Sequence, residues 1–254
     1  MKQRAINLNV FSNVASQSSG DCLAPATIRS FLSCFPEAAT EHDLIIRIFI
    51  DPNPNPSYFA NWVEAIAQGL PDLQYEIVQT TGHSDGFWRS VQISEGDYAI
   101  QLEHDWMFIS SRIKHRLSEI IEDMRTRRIN YLRFNKRRNV QFGTDYFLEN
   151  DDFGQIPLCR ISGRSNNPQI IEIGYYRSLL QIIGSNVGLE GSICKYAGGG
   201  YVYGPAGWPR TVQHLDGRHA RMKDNIARFY YLTLAKSTDW LRPPGWSSDS
   251  RSSR

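Results

Sequence analysis

The stretch Asp97-Tyr-Ala-Ile-Gln-Leu-Glu-His-Asp-Trp106 decides how this chain is read. In an extended backbone successive side chains point to opposite faces. Ile100 and Leu102 therefore share one face, while Gln101, Glu103 and Asp105 share the other. Two carboxylates at one strand end converge on a single hard cation and leave it open positions for other oxygens. An arbitrary Glu-x-Asp is more often an acidic strand end in solvent. Here Trp106, Met107, Phe108 and Ile109 follow at once, and charge set among apolar groups demands a partner. His104 has the opposite parity and reads as a core or orienting side chain, outside the metal set.

Working back from this stretch, strands and helices alternate. Residues 86–94 read as a helix closed by Gly96, after a polar loop over residues 80–86. A strand is expected at 73–80 and an amphipathic helix at 58–70, with Phe59, Trp62, Val63 and Ile66 inward. Residues 43–50 form a near-continuous apolar run, as in a strand buried on both faces, and the Asp-Pro-Asn-Pro-Asn-Pro of 51–56 ends it. Residues 25–35 have helical spacing and Pro36 stops them, while 6–14 are a weakly marked first strand. Such alternation implies an α/β domain with a mostly parallel sheet and helices on its faces.

Forward of the stretch the pattern loosens. A long charged helix is expected over 112–127, then a strand over 130–134 that runs into Lys136-Arg-Arg138. Residues 155–161 and 169–174 read as extended, 175–183 as a short helix and 218–235 as a helix. The Gly-rich segment 197–204 suggests turns and close backbone approach. Residues 246–254, polar and Ser-rich, read as a disordered tail.

Composition removes several classes. With 28 basic and 26 acidic residues the net charge is +2, so no global field favours nucleic acid, and no zinc-finger or RNP-type sequence is present. The 4 cysteines contain no C-x-x-C pair, so a zinc ribbon or dithiol site has no support and reduced thiols are expected. A P-loop is absent. No apolar run approaches the roughly 18 residues of a membrane span, and residues 1–9 lack an apolar leader. The expectation is a cytoplasmic protein with at most peripheral membrane contact.

The order of parts resembles a GT-A nucleotide-sugar-dependent glycosyltransferase. Residues 45–51 look like that family's early strand with its terminal acid, Asp51. Residues 82–106 look like the segment and strand that carry its acid-x-acid metal motif, here Glu103-His104-Asp105. The likeness covers residues 5–215 as an ordering and 82–106 at motif level, with glutamate where the family usually has its first aspartate. It implies a mostly parallel twisted sheet with helices on both faces. Residues 1–135 would bind the donor, 136–245 would form a less regular acceptor-binding part of the same domain, and 246–254 would be the tail.

The resemblance also implies chemistry. A nucleotide-sugar donor would lose its diphosphate with help from Mn²⁺ or Mg²⁺, and the acceptor would be a glycan or a lipid-linked molecule. Asp105 would be the direct ligand, and Glu103 would act through water or contact the ribose. His214 would be a late third ligand, with Asp216 as the alternate; an ordinary polar loop histidine is the somewhat commoner reading of His214. Asp51 and Arg89 would contact the donor, and Glu190, between two glycines, would be the general base of an inverting transfer. Tyr201 and Trp208 would stack on the acceptor's sugar rings, although aromatic groups near Gly-rich turns more often belong to the core. The alternatives are a metal-dependent nucleotidyltransferase or phosphotransferase using the same acids, and a non-catalytic carbohydrate-binding protein.

Overall fold

A computed structural model describes residues 5–14, 18–141, 145, 147–184, 193 and 195–215. All of these except Leu215 belong to one compact unit, Met1–His214. Strands β1 (Ala5–Asn13) and β2 (Asp43–Asp51) lie side by side and parallel in its centre. Ile6, Leu8 and Val10 of β1, with Ile46, Ile48 and Ile50 of β2, enter one core cluster, while Phe11 and Phe49 enter a second on the other face. A strand covered on both sides must be apolar almost throughout, which is why residues 43–51 read as a continuous run. The charge inside it, the buried Arg47, is satisfied by Asn7 Oδ1 and Glu76 Oε2, each at 2.9 Å.

The remaining strands are β3 (Glu76–Gln79), β4 (Tyr98–Glu103), β5 (Trp106–Phe108), β6 (Tyr131–Arg133), β7 (Leu148–Asp151), β8 (Leu158–Ile161), β9 (Gln169–Glu172), β10 (Gly200–Tyr203) and β11 (Val212–His214). Nine of the strands form one sheet in the order β3-β2-β1-β4-β9-β6-β10-β8-β7. Only β9 and β8 run against the common direction, so the sheet is mostly parallel. β5 and β11 pair antiparallel in a small sheet of their own.

Helices cover both faces. α1 (Ala24–Cys34) and the short α2 (Ala38–Glu41) precede β2, and α3 (Pro56–Gly69) follows it. α4 (His83–Ile93), α5 (Leu117–Thr126) and α6 (Ile173–Ile183) follow. α1, α3 and α5 pack into the first cluster through Phe31, Trp62 and Leu117 among others, whereas α4 and α6 pack into the second through Phe87, Val91, Tyr176 and Leu180. Their starts are written locally. Asn55 caps α3 by accepting from Ser57 N at 3.1 Å, with Pro56 in the first turn. Glu172 caps α6 by accepting from Gly174 N and Tyr175 N.

Three expectations change. The extended run expected over 97–106 is broken: β4 ends at Glu103, and residues 104–105 form a turn before β5. The helix expected over 112–127 is a 3-10 turn at Ser110–Arg112 followed by α5, which begins only at Leu117. α4 starts at His83, three residues before the expected 86. Residues 218–235 and 246–254 lie outside the described residues. Among the described residues no helix is long and apolar enough to cross a membrane. Cys22, Cys34 and Cys159 are free, and burial pushes the Cys22 and Cys34 thiols up to about 12, which makes them inert packing groups.

A polar lattice fixes α4 against the sheet. Asn9 Nδ2 donates to Ser94 Oγ at 3.0 Å, Gln101 Nε2 to Ser90 Oγ at 3.1 Å, and Glu95 N to Asn7 Oδ1 at 3.1 Å. The side chains of Asn7, Asn9, Ser90, Ser94 and Gln101 in this seam are all buried. These bonds set the position of α4, and therefore of its first residue, His83.

Candidate metal centre

The chain leaves β1 toward β2 on one side, and β4 later fills the other. The carboxyl ends of β1 and β4 thus form a topological switch point, where a parallel α/β sheet opens a crevice. Glu103, the last residue of β4, pairs with Phe11 there. The ladder continues one step further, since His104 N donates to Phe11 O at 2.8 Å. The turn is also gripped from α1, where the buried Thr27 hydroxyl donates to His104 O at 2.5 Å. The His104 ring lies edge-on to Trp62, 5.7 Å between centroids, with Nδ1 3.3 Å from Phe11 O.

Beyond the turn, β5 pairs with β11 so that Trp106 lies opposite His214. Ser30 of α1 secures this strand by accepting from Phe108 N at 3.1 Å. The pairing brings residue 214 to the acids: His214 Nε2 is 3.1 Å from Asp105 Oδ2, and its ring lies 4.3 Å from that of Trp106. Glu103, Asp105 and His214 each offer one ligand atom within 4.8 Å of the others. His83 Nδ1 approaches Glu103 Oε1 at 3.6 Å.

Asp105 is 9% exposed, and its second oxygen, Oδ1, is buried with no hydrogen-bond partner. An unpaired buried acceptor costs about 1–3 kcal/mol, so its retention calls for an explanation. Burial pushes the Asp105 carboxyl up, but the His214 hydrogen bond, the charges of His104 and His214 and its own backbone N–H together hold it below the usual carboxylate range. The group is thus a buried anion with an open lone pair beside a second carboxylate and an imidazole. Two oxygens and one nitrogen suit a divalent ion of the Mn²⁺ type, and three protein ligands leave positions for a substrate.

The other expected site residues are placed as follows. Asp51 ends β2, and its Oδ1 accepts from Thr80 Oγ1 at 2.5 Å and Gly82 N at 2.8 Å, so it shapes the loop that opens α4. Arg89 lies nearly two turns into that helix, bonded to Asp85 at 2.9 Å and to Gln79 O at 3.3 Å. Tyr201 has the Arg127 guanidinium 5.4 Å from its ring centroid, and Trp208 donates to Arg112 O at 3.1 Å; both pack against the first core cluster. Glu190 and Asp216 lie outside the described residues. The sequence did not mark His83, Thr27 or the contact of Lys136 with Trp106, because each depends on pairings made across many residues of chain.

No protein-family model matches the sequence, and no curated protein matches it. Solved structures do. A mannosyltransferase from Pyrobaculum calidifontis in complex with GDP-Man and Mn²⁺ superposes with a TM-score of 0.53 at 11% identity, covering 86% of this chain and 59% of that one. GalNAc-T7 with UDP, GalNAc and Mn²⁺ gives 0.58 at 11% identity, covering 84% of this chain and 44% of that one. S. aureus TarS 1-349 in complex with UDP-GlcNAc gives 0.50 at 9% identity, covering 91% and 66%. This chain therefore spans less than two thirds of each of these chains. The fold is the GT-A fold of these glycosyltransferases.

Proposed function

We propose that this chain transfers a sugar from a nucleotide-sugar donor with the help of a divalent cation held by Asp105, Glu103 and His214. The observation that carries the reading is the meeting of these three side chains at the switch point of a GT-A sheet, with a buried carboxylate oxygen left without a partner. The ion, when bound, neutralises charge on the diphosphate leaving group. The neighbours' complexes with GDP-Man, UDP and UDP-GlcNAc support a donor of this class.

The chain's own groups divide the remaining work. Asp105 supplies the buried anion, and His214 is oriented by its bond to Asp105 and by the Trp106 ring. Glu103 is steadied by His83. Asp51 and the Thr80–Gly82 loop form the donor's nucleoside edge, with Arg89 behind them. Glu190 takes the proton from the acceptor hydroxyl as that oxygen bonds to the sugar carbon from the face opposite the departing diphosphate, so the transfer inverts the configuration.

The test is a thermal-shift screen of UDP-, GDP-, CMP- and dTDP-sugars with and without Mn²⁺, repeated on Asp105→Asn. A ligand that binds only the native state raises the melting temperature. The reading predicts at least one donor that stabilises the wild type only with Mn²⁺ and leaves Asp105→Asn unmoved. If no nucleotide sugar stabilises the wild type, or if Asp105→Asn responds equally, the reading fails.

A further inference from the structure

Three loops bordering the metal centre carry cations and no acid. Residues 109–115, 135–140 and 204–213 bring Arg112, Lys114, Lys136, Arg137, Arg138 and Arg210, and all six are exposed. Their backbones are tied together. Asn139 N donates to Trp208 O at 2.9 Å, Gly207 N to Asn139 O at 2.8 Å, Thr211 N to Asn135 O at 2.8 Å, and Ile109 N to Thr211 O at 2.9 Å. The buried Asn139 amide donates in turn to the carbonyls of Tyr203, Gly204 and Pro205. The cations thus project from a rigid frame. Among the described residues, Arg112, Lys114, Lys136, Arg138 and Arg210 have no ion-pair partner.

The whole chain is nearly neutral at +2, so this is a local concentration of like charge. It repels itself until an anion arrives. Its link to the centre is direct: Lys136 Nζ lies 5.6 Å from the centroid of the Trp106 ring, against which His214 is stacked. Lys136 follows β6, on the side of β4 away from β1 and β2, where Asp51 and the Thr80–Gly82 loop lie. A donor whose nucleoside occupies the β1–β2 side leaves the Lys136 side to the acceptor.

We propose that the acceptor carries phosphate groups, which the Lys136–Arg138 loop, Arg112 and Arg210 bind while its hydroxyl is presented to the metal centre. This rests on the sugar-transfer reading above. Guanidinium groups match phosphate oxygens in pairs, and the frame removes part of the ordering cost. A membrane surface would need apolar side chains beside the cations. In these three loops the exposed large hydrophobic is Val140 alone, so a soluble phosphate-bearing chain fits better than lipid.

The probe is a fluorescein-labelled glycerol-phosphate oligomer, with binding to the full chain read by anisotropy. Wild type should bind it without nucleotide, and more weakly as salt rises. The triple variant Lys136→Glu, Arg138→Glu, Arg210→Glu should weaken binding about 100-fold. Its melting temperature should not fall below the wild-type value, and Mn²⁺ binding, read by electron paramagnetic resonance, should persist, since the added negative charge favours the cation. Lys136→Arg should bind as wild type does. Equal binding by the triple variant overturns the proposal. So does a wild type that ignores the oligomer but binds phosphatidylglycerol vesicles or an oligonucleotide. Loss of Mn²⁺ binding is read separately on Asp105→Asn; if that variant still binds the ion, the metal reading fails and the phosphate result stands on its own.

Discussion

Asp105 serves function and stability together. Its Oδ1 is buried and unpartnered, a cost of about 1–3 kcal/mol that the metal-free protein carries. Its carboxyl is nonetheless held below the usual range, so the fold favours the anion. Asp105→Asn keeps the shape while removing the charge. Without metal its unfolding midpoint should therefore lie at or below that of the wild type, and the Mn²⁺-dependent rise should vanish. Thermal unfolding with and without Mn²⁺ reads both effects; a variant that keeps the Mn²⁺-dependent rise contradicts the account. Gly82 offers a second case. With φ 144° and ψ 163° it occupies backbone space that is essentially reserved for glycine, and a Cβ there would meet nothing within 4 Å. Gly82→Ala should therefore cost about 1–3 kcal/mol through the backbone alone. Because it displaces the start of α4, it should also weaken donor binding through Asp51 and His83, as donor titrations of the variant would show. Of these residues, Glu103 and Asp105 were legible as a strand-end pair in an apolar setting. Thr27 and His83 were not, because their reach to the site spans 77 and 20 residues of chain.

Elements were legible where burial imposes a period. The alternation of β1 and β4 and the unbroken apolar run of β2 follow from having a core on both faces; β1 and β2 lie within a residue of their expected bounds, whereas β4 ends three residues early. The turn at 104–105 was hidden because Glu103 and Asp105 keep the parity of a strand in sequence. What breaks the strand is the pairing of Trp106 with His214, a contact local periodicity cannot carry. The end of α5 shows the same limit. Arg127, just past that helix, pairs with Asp123 at 2.8 Å and with Asp151 of β7 at 3.0 Å; both acids are buried and Arg127 is largely covered between them. Removing one partner of a buried ion network costs about 3–5 kcal/mol, so Arg127→Met should lower urea stability by that order. The pH sign follows from Asp151. Burial acts to raise its carboxyl, but the Phe153 N–H and Arg127 outweigh it and hold it below its ordinary value. A depressed carboxyl stabilises the fold above its unfolded pKa, about 3.9, and that contribution is lost as pH falls through the folded value. Acid titration of stability should therefore be flatter below pH 4 in Asp151→Asn than in wild type, with the difference confined to that range.

At the scale of the whole unit, the metal centre joins early and late parts of the chain. β4 supplies Glu103 and the turn supplies Asp105, whereas His214 arrives on β11, which among the described residues pairs with β5 alone. The alternating first half gave the mostly parallel sheet, but nothing in the period of residues 197–214 announced that they return to this edge. The return depends on Asn135, whose carbonyl accepts from Thr211 N at 2.8 Å and whose N–H donates to the Thr211 hydroxyl at 2.9 Å. A cation bridging β4 and β11 should therefore tie the return segment to the sheet. At one hundred times its dissociation constant a ligand adds about 2.7 kcal/mol, which for a unit of this size raises the midpoint by roughly 5–10 °C. The gain should not be uniform. Amides of β5 and β11 should exchange more slowly once Mn²⁺ is added, whereas local opening of the edge strand β7, remote in the sheet order from β4, should keep its rate. Hydrogen exchange followed by mass spectrometry resolves these segments. Equal protection of β7 and β11, or none at β11, would mean that His214 does not hold the ion.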